Sequence, residues 1–190
     1  MRKERLAAFT DAVLAIIMTL LVLELKKPDV LSFAGFWALR ENFFAYTLSF
    51  FWLGTMWVNL HNEWENIERI SKKTVWATLI MLFFSSIFPY STSIVAANFS
   101  NGVAQGFYGL IVLLVTFSNL LTYQTLLAPN TSSELFLKRM NHRVHWLTYD
   151  IILKIIGFVV SVTIYPPAMS LSVVLTLLLF VIPNQFETGK

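Results

Sequence analysis

The sequence has no cysteine and few charged residues. Of its 190 residues, 13% are Asp, Glu, Lys or Arg, which is about half the share that is typical of a soluble domain. Without cysteine there is no disulfide scaffold, no thiolate-ligated zinc or iron–sulfur cluster, and no cysteine nucleophile. What is abundant is apolar: 56% of the residues are hydrophobic and 15% are aromatic. This composition predicts an integral membrane protein rather than a disordered chain or an ordinary soluble enzyme.

The motifs of common enzymes and cofactor sites are also missing. The chain has no phosphate-binding loop, no dinucleotide fingerprint and no Ser-His-Asp pattern. Two of its three histidines, His142 and His145, are close in sequence but fall at a predicted membrane interface, which does not favour a buried metal site. A net charge of +3 does not indicate a nucleic-acid partner. We therefore expect no enzyme activity, no cofactor, no resident metal and no nucleic acid.

Apolar segments long enough to cross a bilayer, which takes about 20 helical residues, fill most of the chain. The sequence predicts one domain over residues 1–190, with spans at about 6–25, 36–60, 74–98, 103–127, 144–165 and 168–182. Pro89 should kink the third span, and Pro166-Pro167 should form the turn between the last two. The fold class is therefore an all-α integral membrane protein with six transmembrane helices per subunit, surrounded by the lipid bilayer.

The basic residues are distributed unequally between the two sides of these spans. One side holds both termini and most of the basic residues, which are Arg2, Lys3, Arg5, Arg69, Lys72, Lys73, Lys138, Arg139, Arg143 and Lys190. The other side holds Lys26, Lys27 and Arg40, and Lys154 falls inside the fifth span. Because basic residues concentrate on the cytoplasmic side, this predicts a multi-pass protein of the plasma membrane with both termini in the cytoplasm.

The first span has two different faces. At about 100° per residue, one face carries small and aliphatic side chains and a single hydroxyl, namely Ala12, Ile16, Thr19, Leu20 and Leu23. Asp11 lies about 140° from Ile16 on the same wheel. An intramembrane carboxylate costs about 2.5–3.5 kcal/mol on insertion scales and normally faces a partner or water. We therefore expect Asp11 to meet donors from a neighbouring helix.

The second span offers such donors at the same membrane level. Trp57, Asn59 and His61 lie near its predicted cytoplasmic end. Arg5 is at that level too, but it is about 120° from Asp11 on one helix and poorly placed to pair with it there. The sequence predicts an interhelical cluster of Asp11 with Asn59 and His61, to which Arg5 of the same or a neighbouring subunit can add.

Three segments resemble one known family. Arg5–Asp11, with the sequence RLAAFTD, resembles the RxxxFSD signature that opens the first helix of the transmembrane protein 175 family, the endolysosomal potassium channels and their prokaryotic relatives. Trp57–His61 resembles the W-x-N-H-H stretch of its second helix, and Phe88–Thr92 its FP[FY]ST segment. Thr10 replaces a serine and keeps the hydroxyl, whereas Leu60 replaces the first histidine. The resemblance covers the first three helices by motif and the last three by topology.

The resemblance implies a potassium-preferring cation channel, built as a homotetramer whose four first helices line a central pore. It places the hydrophobic constriction at Ile16, a hydroxyl ring at Thr19 and further rings at Leu20 or Leu23. Glu24 would attract cations at the pore mouth. A structural polar cluster is implied for the signature residues Arg5, Phe9, Thr10, Asp11, Trp57, Asn59 and His61. The family uses no TVGYG-type carbonyl filter, and the sequence contains none; the only bound species expected is permeating K⁺.

Alternatives remain at this stage. The aliphatic side chains led by Ile16 fit a lipid-facing or core surface too, and Glu24 fits a solvated helix end. Lys154 follows Asp150 by four residues, which favours a local ion pair. A proton-coupled or other secondary transporter would use Asp11, His61 and Lys154 as a relay, although the chain lacks inverted repeats. A membrane-embedded hydrolase or a structural protein would show no ion flux.

Overall fold

The computed structural model describes residues 2–130 and 134–181, and regular secondary structure within these ranges is entirely helical. The helices are α1 (Lys3–Leu23), α2 (Phe33–Ala38), α3 (Arg40–Asn66), α4 (Lys72–Ser86), α5 (Phe88–Ala97), α6 (Gly102–Leu127), α7 (Glu134–Thr163) and α8 (Ala168–Thr176). A short 3₁₀ turn, Ala128–Asn130, follows α6, and a π-helical turn, Leu177–Val181, continues α8. Ile182, the end of the predicted sixth span, and the terminal Lys190 lie outside the described residues.

The first long helices run antiparallel, as contacts at their ends show. At one end of the molecule the Lys3 ammonium donates to the Ile67 carbonyl at 2.6 Å, which ties the start of α1 to the end of α3. At the opposite end the backbone N–H of Lys26 donates to the Asn42 side-chain oxygen at 3.2 Å. α1 therefore lies along α3 over most of its length, and it also contacts α4 and α5.

Helix α6 lies at the centre of the subunit, in contact with α4, α5, α7 and α8. The Thr74 hydroxyl donates to the Thr125 carbonyl at 3.1 Å, which places the start of α4 beside the end of α6. A Cβ atom on Gly109 would lie 2.7 Å from the Met169 sulfur, so α8 approaches the α6 backbone closely. Small residues permit such approach where lipid removes the hydrophobic drive for helices to associate.

Four helices are long and apolar enough to cross a membrane: Lys3–Leu23, Lys72–Ala97, Gly102–Leu127 and Met140–Thr163. α3 is 27 residues long, but its second half carries several polar and charged side chains. Ala168–Leu179 is apolar and shorter. The described part of the chain thus has several spanning helices by length and composition, and the count of six stays a prediction.

Two predicted segments differ from the observed helices. The second span, expected as one helix over 36–60, is divided at Leu39 and continues to Asn66. The fifth, expected over 144–165, begins ten residues earlier, at Glu134. In both cases the additional helical turns are polar, and they are held by tertiary contacts that a hydropathy window does not detect. The fourth span, expected over 103–127, agrees with α6 to one residue.

The predicted kink at Pro89 is confirmed. α4 ends at Ser86, Ile87 separates it from α5, and Pro89 occupies the first turn of α5. Proline has no N–H, so it is tolerated in a first turn and disrupts the ladder of hydrogen bonds before it.

Candidate functional site

One face of α1 is packed inside the subunit. Its buried residues are spaced by three or four positions and comprise Leu6, Thr10, Leu14, Ile17 and Leu21. The Thr10 hydroxyl donates to the Leu6 carbonyl of its own helix at 2.8 Å. Thr10 is therefore a packed residue whose hydroxyl is satisfied locally, and it does not extend the polar cluster that the sequence predicts.

The opposite face of α1 is uncovered in the single subunit. Ile16 is 59% exposed and Leu23 is 75% exposed, whereas the adjacent Ile17 is 2% exposed. Leu20 and Thr19 are exposed as well. The structure thus places all four predicted pore residues on one accessible strip. The Thr19 hydroxyl donates to the Ile16 carbonyl at 2.7 Å, so its proton is used within the helix.

Asp11 sets the rotation of α1 about its axis. The Trp57 indole N–H on α3 donates to Asp11 Oδ1 at 2.8 Å in a half-buried position. A hydrogen bond to a carboxylate is about twice as strong as one between neutral groups. Because Asp11 and Ile16 are about 140° apart on the helix, this bond to α3 turns Ile16 away from the subunit interior.

The predicted grouping of Asp11 with Asn59 and His61 is wrong in its partners. Asn59 lies on another side of α3, against α6 and α7. His61 is exposed, stacks on the Trp57 ring at 5.5 Å between centroids, and lies 3.6 Å from Glu65. The reason is helical geometry: Trp57 and Asn59 are about 160° apart on α3, whereas Trp57 and His61 are about 40° apart. The sequence-based prediction grouped these side chains because they share a membrane level. Which of them are in contact depends instead on the face of the helix that each occupies.

The remaining signature residues of α1 lie at its edges. Arg5 and Phe9 are exposed in the single subunit, so neither joins Asp11 and Trp57 within this chain. Glu24 is the C-cap residue of α1 and is half-buried beside Asn42 of α3, at the end of the helix where the pore mouth is predicted.

The third motif segment packs as core. Phe88 is fully buried and lies 4.9 Å from Trp52, centroid to centroid. The hydroxyls of Thr92 and Ser49 are 2.9 Å apart, and Ser49 also lies 3.3 Å from the Tyr108 hydroxyl. These contacts fix α5 against α3 and α6, and thereby support the helix that carries Trp57.

Comparisons with known proteins agree with this arrangement. Residues 5–89 match the family model for the endosomal/lysosomal potassium channel TMEM175. A potassium channel of Chryseobacterium sp. (strain P1-3) is 37% identical over 120 residues, which are 62% of this chain and 62% of the relative. The first part of the chain, residues 5–89, is thus similar to the TMEM175 family.

Two further comparisons point to the same family. A potassium channel of Streptomyces collinus is 30% identical over 126 residues, which are 64% of this chain and 61% of the relative. The chain thus matches less than two thirds of the length of these curated relatives. The crystal structure of a lysosomal potassium-selective channel TMEM175 homolog from Chamaesiphon minutus superposes with a TM-score of 0.72 at 21% identity, covering 97% of this chain and 95% of that one. That likeness shows a shared fold.

The region that matches the TMEM175 family model includes α1, α3 and α4, and hence Ile16, Asp11 and Trp57. It ends within α5, so α6, α7 and α8 lie beyond it. The structure shows two ion pairs that involve this second region, one of them buried and the other largely buried.

The first buried pair is the one that sequence spacing predicts. Lys154 Nζ lies 2.6 Å from Asp150 Oδ2, and the side chains are 2% and 6% exposed. The ammonium also donates to the Thr116 hydroxyl at 3.3 Å and lies 5.1 Å from the centroid of the Trp52 ring. The predicted local pair is confirmed, but it faces α3 and α6 inside the subunit rather than lipid.

The second pair is one that sequence reasoning missed. Arg143 Nε on α7 lies 2.9 Å from Glu63 Oε1 on α3, and the guanidinium lies 5.7 Å from the centroid of the Tyr123 ring on α6. Glu63 and Arg143 are distant in sequence, so no local spacing indicates their contact. The sequence feature that relates to this contact is the polar segment after the predicted second span, which contains Glu63 and is helical in the structure.

The histidines of α7 are engaged by aromatic neighbours. The Trp146 indole N–H donates to His142 Nε2 at 2.7 Å, and the His145 and Tyr149 rings are 4.9 Å apart. Within residues 2–130 and 134–181 no three His, Asp or Glu side chains come together as metal ligands do.

Proposed function

We propose that the protein is a potassium-preferring cation channel, in which the α1 helices of four identical subunits line a central pore. The observation that carries this proposal is the uncovered strip of α1, on which Ile16 is 59% and Leu23 75% exposed while the other face is buried. In a homotetramer with a central axis, the same strip of each subunit faces the axis. The names of the relatives as potassium channels support the choice of ion.

The constriction in this proposal is a ring of four Ile16 side chains, with Leu20 and Leu23 forming further apolar rings. An apolar constriction gates by losing its water, and an ion then meets a dehydration barrier. Potassium gives up its hydration shell more cheaply than sodium, which gives a preference for potassium without a carbonyl filter. Thr19 Oγ1 keeps acceptor capacity toward the axis while its proton stays on its own helix.

The proposed membrane orientation follows from the distribution of basic residues. Lys3, Arg69 and Lys72 lie at or next to helix ends on one side of the described helices, and the sequence assigns most of the other basic residues to the same side. That side is the cytoplasm of a plasma-membrane protein by the positive-inside rule. Glu24 then lies at the external end of α1, where a carboxylate raises the local concentration of cations.

A secondary transporter is the second candidate, and its proposed relay is not assembled. Asp11 accepts from Trp57, His61 pairs with Glu65, and Lys154 pairs with Asp150. A proton relay requires its members to be linked by hydrogen bonds or water, whereas these three side chains belong to separate contacts. The channel is therefore the better supported function.

The proposal is tested by recording currents from the purified full chain in planar bilayers, with potassium on one side and sodium on the other. We expect discrete single-channel steps and a reversal potential displaced toward the potassium equilibrium value. Saturable, electrically silent exchange that stops in Asp11→Asn would favour the transporter instead. The absence of flux for either ion in protein that elutes near four times 21.8 kDa would contradict both.

A further inference from the structure

A small chamber lies inside each subunit, away from α1. It has a volume of about 50 Å³ and is bounded by α3, α6 and α7. Its polar lining residues are Thr55, Asn59, Thr116, Asn119, Asp150 and Lys154. Lys154 is part of the apolar helix Met140–Thr163, one of the four able to cross a membrane. The chamber is therefore polar and charged, although one of its helices is apolar enough to cross a membrane.

The hydrogen bonds of the Lys154 ammonium are accounted for by its neighbours. It donates to Asp150 Oδ2 and to Thr116 Oγ1, and the Trp52 ring lies 5.1 Å from the nitrogen. An ammonium has three donors and no acceptor. Lys154 therefore offers no further donor to the other polar atoms of the chamber.

Two acceptors in the chamber remain. Asp150 Oδ1 and Asn119 Oδ1 are both buried, and neither receives a hydrogen bond from any residue in the described ranges. Asp150 is 4% exposed and Asn119 is 6% exposed. A buried acceptor without a donor costs about 1–3 kcal/mol, and more when it is charged. Asp150 Oδ1 therefore requires a donor that the surrounding helices do not supply, whereas beside Asn119 the buried Tyr123 hydroxyl of α6 is a further polar group that has no partner within the described residues.

The same imbalance occurs further along the interface. Glu63 Oε1 takes the Arg143 guanidinium, but the buried Glu63 Oε2 has no donor within the described part of the chain. Asn59 of the chamber lies one turn before Glu63 on α3. Buried polar atoms without a partner thus follow one seam between α3, α6 and α7, which begins at the Asp150–Lys154 pair and includes the Tyr123 hydroxyl near Glu63.

The chemistry of the chamber favours a neutral donor. A chamber of about 10–15 Å³ on the same measure holds one water molecule, which needs 2–4 polar partners, so this chamber has room for more than one. A bound cation would also satisfy the two acceptors, but it would lie beside the Lys154 ammonium, and the Asp150 charge is already balanced. Ionisable residues inside a membrane pair with each other or line water-filled cavities, and at this site an ion pair adjoins a chamber large enough for water.

We propose that the chamber between α3, α6 and α7 is a binding site for a small cluster of water molecules, which donate to Asp150 Oδ1 and Asn119 Oδ1 beside the Asp150–Lys154 pair. The site is separate from the strip of α1, and its water does not belong to the ion path. The proposal of a water site therefore does not depend on the proposed channel function.

Hydroxyl-radical footprinting by X-ray radiolysis tests this site, because a buried side chain is modified only where water adjoins it. Met56 lines the chamber and is 7% exposed, and Met81 and Met169, each 0% exposed, are the matched controls. In the full chain in lipid nanodiscs, we expect Met56 to be modified at least five times faster than either control. Equal rates at Met56 and the controls would overturn the proposal.

A variant and a change of salt distinguish water in the chamber from water elsewhere and from a bound cation. Asn119→Leu removes one acceptor and fills part of the space, so the rate at Met56 should fall toward that of Met81 while the oligomer peak is unchanged. A rate at Met56 that is unaffected in folded Asn119→Leu would overturn the assignment of the water to this chamber. For wild type, the same rate is expected in potassium, sodium and choline salts; a rate that falls with rising potassium would overturn the water assignment in favour of a cation.

Discussion

The strip of α1, formed by Ile16, Thr19, Leu20 and Leu23, differs from the interior seam between α3, α6 and α7 in polarity and in burial. Both properties are commonly used to locate an ion path. The strip is apolar apart from Thr19, and it is uncovered. The seam contains two ion pairs and two unmet acceptors beside Lys154, and it is buried. We nevertheless assign the ion path to the strip. Under the proposed assignment, polarity alone does not locate the pore of this protein.

What distinguishes the two regions is where their surfaces face. The polar groups of the seam are turned toward each other, so their charges cancel inside one subunit and stabilise its helix packing. Among residues 2–130 and 134–181 nothing covers the strip of α1, and symmetry can bring four copies of it around one axis. An apolar surface of this kind is suited to gating, because small displacements decide whether water enters.

The largest effect should follow from breaking the seam. Lys154→Met leaves the Asp150 carboxylate buried and unpaired, which costs about 3–5 kcal/mol when one partner of a buried ion pair is removed. The double variant Asp150→Leu/Lys154→Met removes both charges and should be closer to wild type. The free energy of unfolding in mixed detergent micelles measures both. A single variant as stable as wild type would mean that the seam does not stabilise the fold.

The next effect should come from releasing the bond that sets the rotation of α1. Trp57→Phe keeps an aromatic ring beside His61 but removes the donor to Asp11, which should cost about 1–3 kcal/mol because the carboxylate stays half-buried. Trp76→Phe is the control, since Trp76 is 68% exposed. Thermal stability of the oligomer and open probability are measured together. If both variants behave alike, Asp11 is not held by Trp57.

A third effect should separate the strip from other exposed apolar positions. Ile16→Asn places polar side chains at the proposed constriction, and a barrier lowered by about 1.4 kcal/mol raises conductance about tenfold. Ile156→Asn on α7 is the matched control, because Ile156 is 54% and Ile16 59% exposed. We expect larger single-channel conductance and weaker potassium preference only in Ile16→Asn. Equal conductance in both variants would show that Ile16 does not differ from an exposed apolar residue outside the proposed pore.

The smallest effect is expected at the surface of α3. Glu65→Gln removes an exposed pair with His61, in which Glu65 is 71% exposed by side chain. Exposed i,i+4 ion pairs contribute about 0.3–0.5 kcal/mol and are screened by salt, and the His61–Glu65 contact is such a pair only when His61 is protonated. The loss of stability should therefore stay below about 0.5 kcal/mol and vanish in high salt. A loss as large as that of Trp57→Phe would show that His61 belongs to the Asp11 contact after all.

The sequence was informative wherever the determining interaction is local or periodic. The bounds of α6 follow from an unbroken apolar run, the break before α5 follows from Pro89, and the Asp150–Lys154 pair follows from i,i+4 spacing. The two faces of α1 follow from helical periodicity. Each of these features can be predicted from the sequence of a single segment, without knowing how the helices pack.

The sequence was misleading wherever two helices must be placed relative to each other. Asn59 and Trp57 share a membrane level, yet they face different neighbours because they are two residues apart on one helix. Glu63 and Arg143 meet only because α3 and α7 both extend past their apolar segments. The chamber is formed by three helices at once, so no motif indicates it.

The central claim is that the strip of α1 faces water and ions, and cysteine accessibility tests it most directly. The chain has no cysteine, so single cysteines at Ile16, Leu23 and the buried neighbour Ile17 each report alone. A water-soluble methanethiosulfonate reagent should block the current of Ile16→Cys and Leu23→Cys, and leave Ile17→Cys and wild type unchanged. Current that persists in Ile16→Cys and Leu23→Cys after shown thiol modification, or block at Ile17→Cys alone, would contradict the assignment.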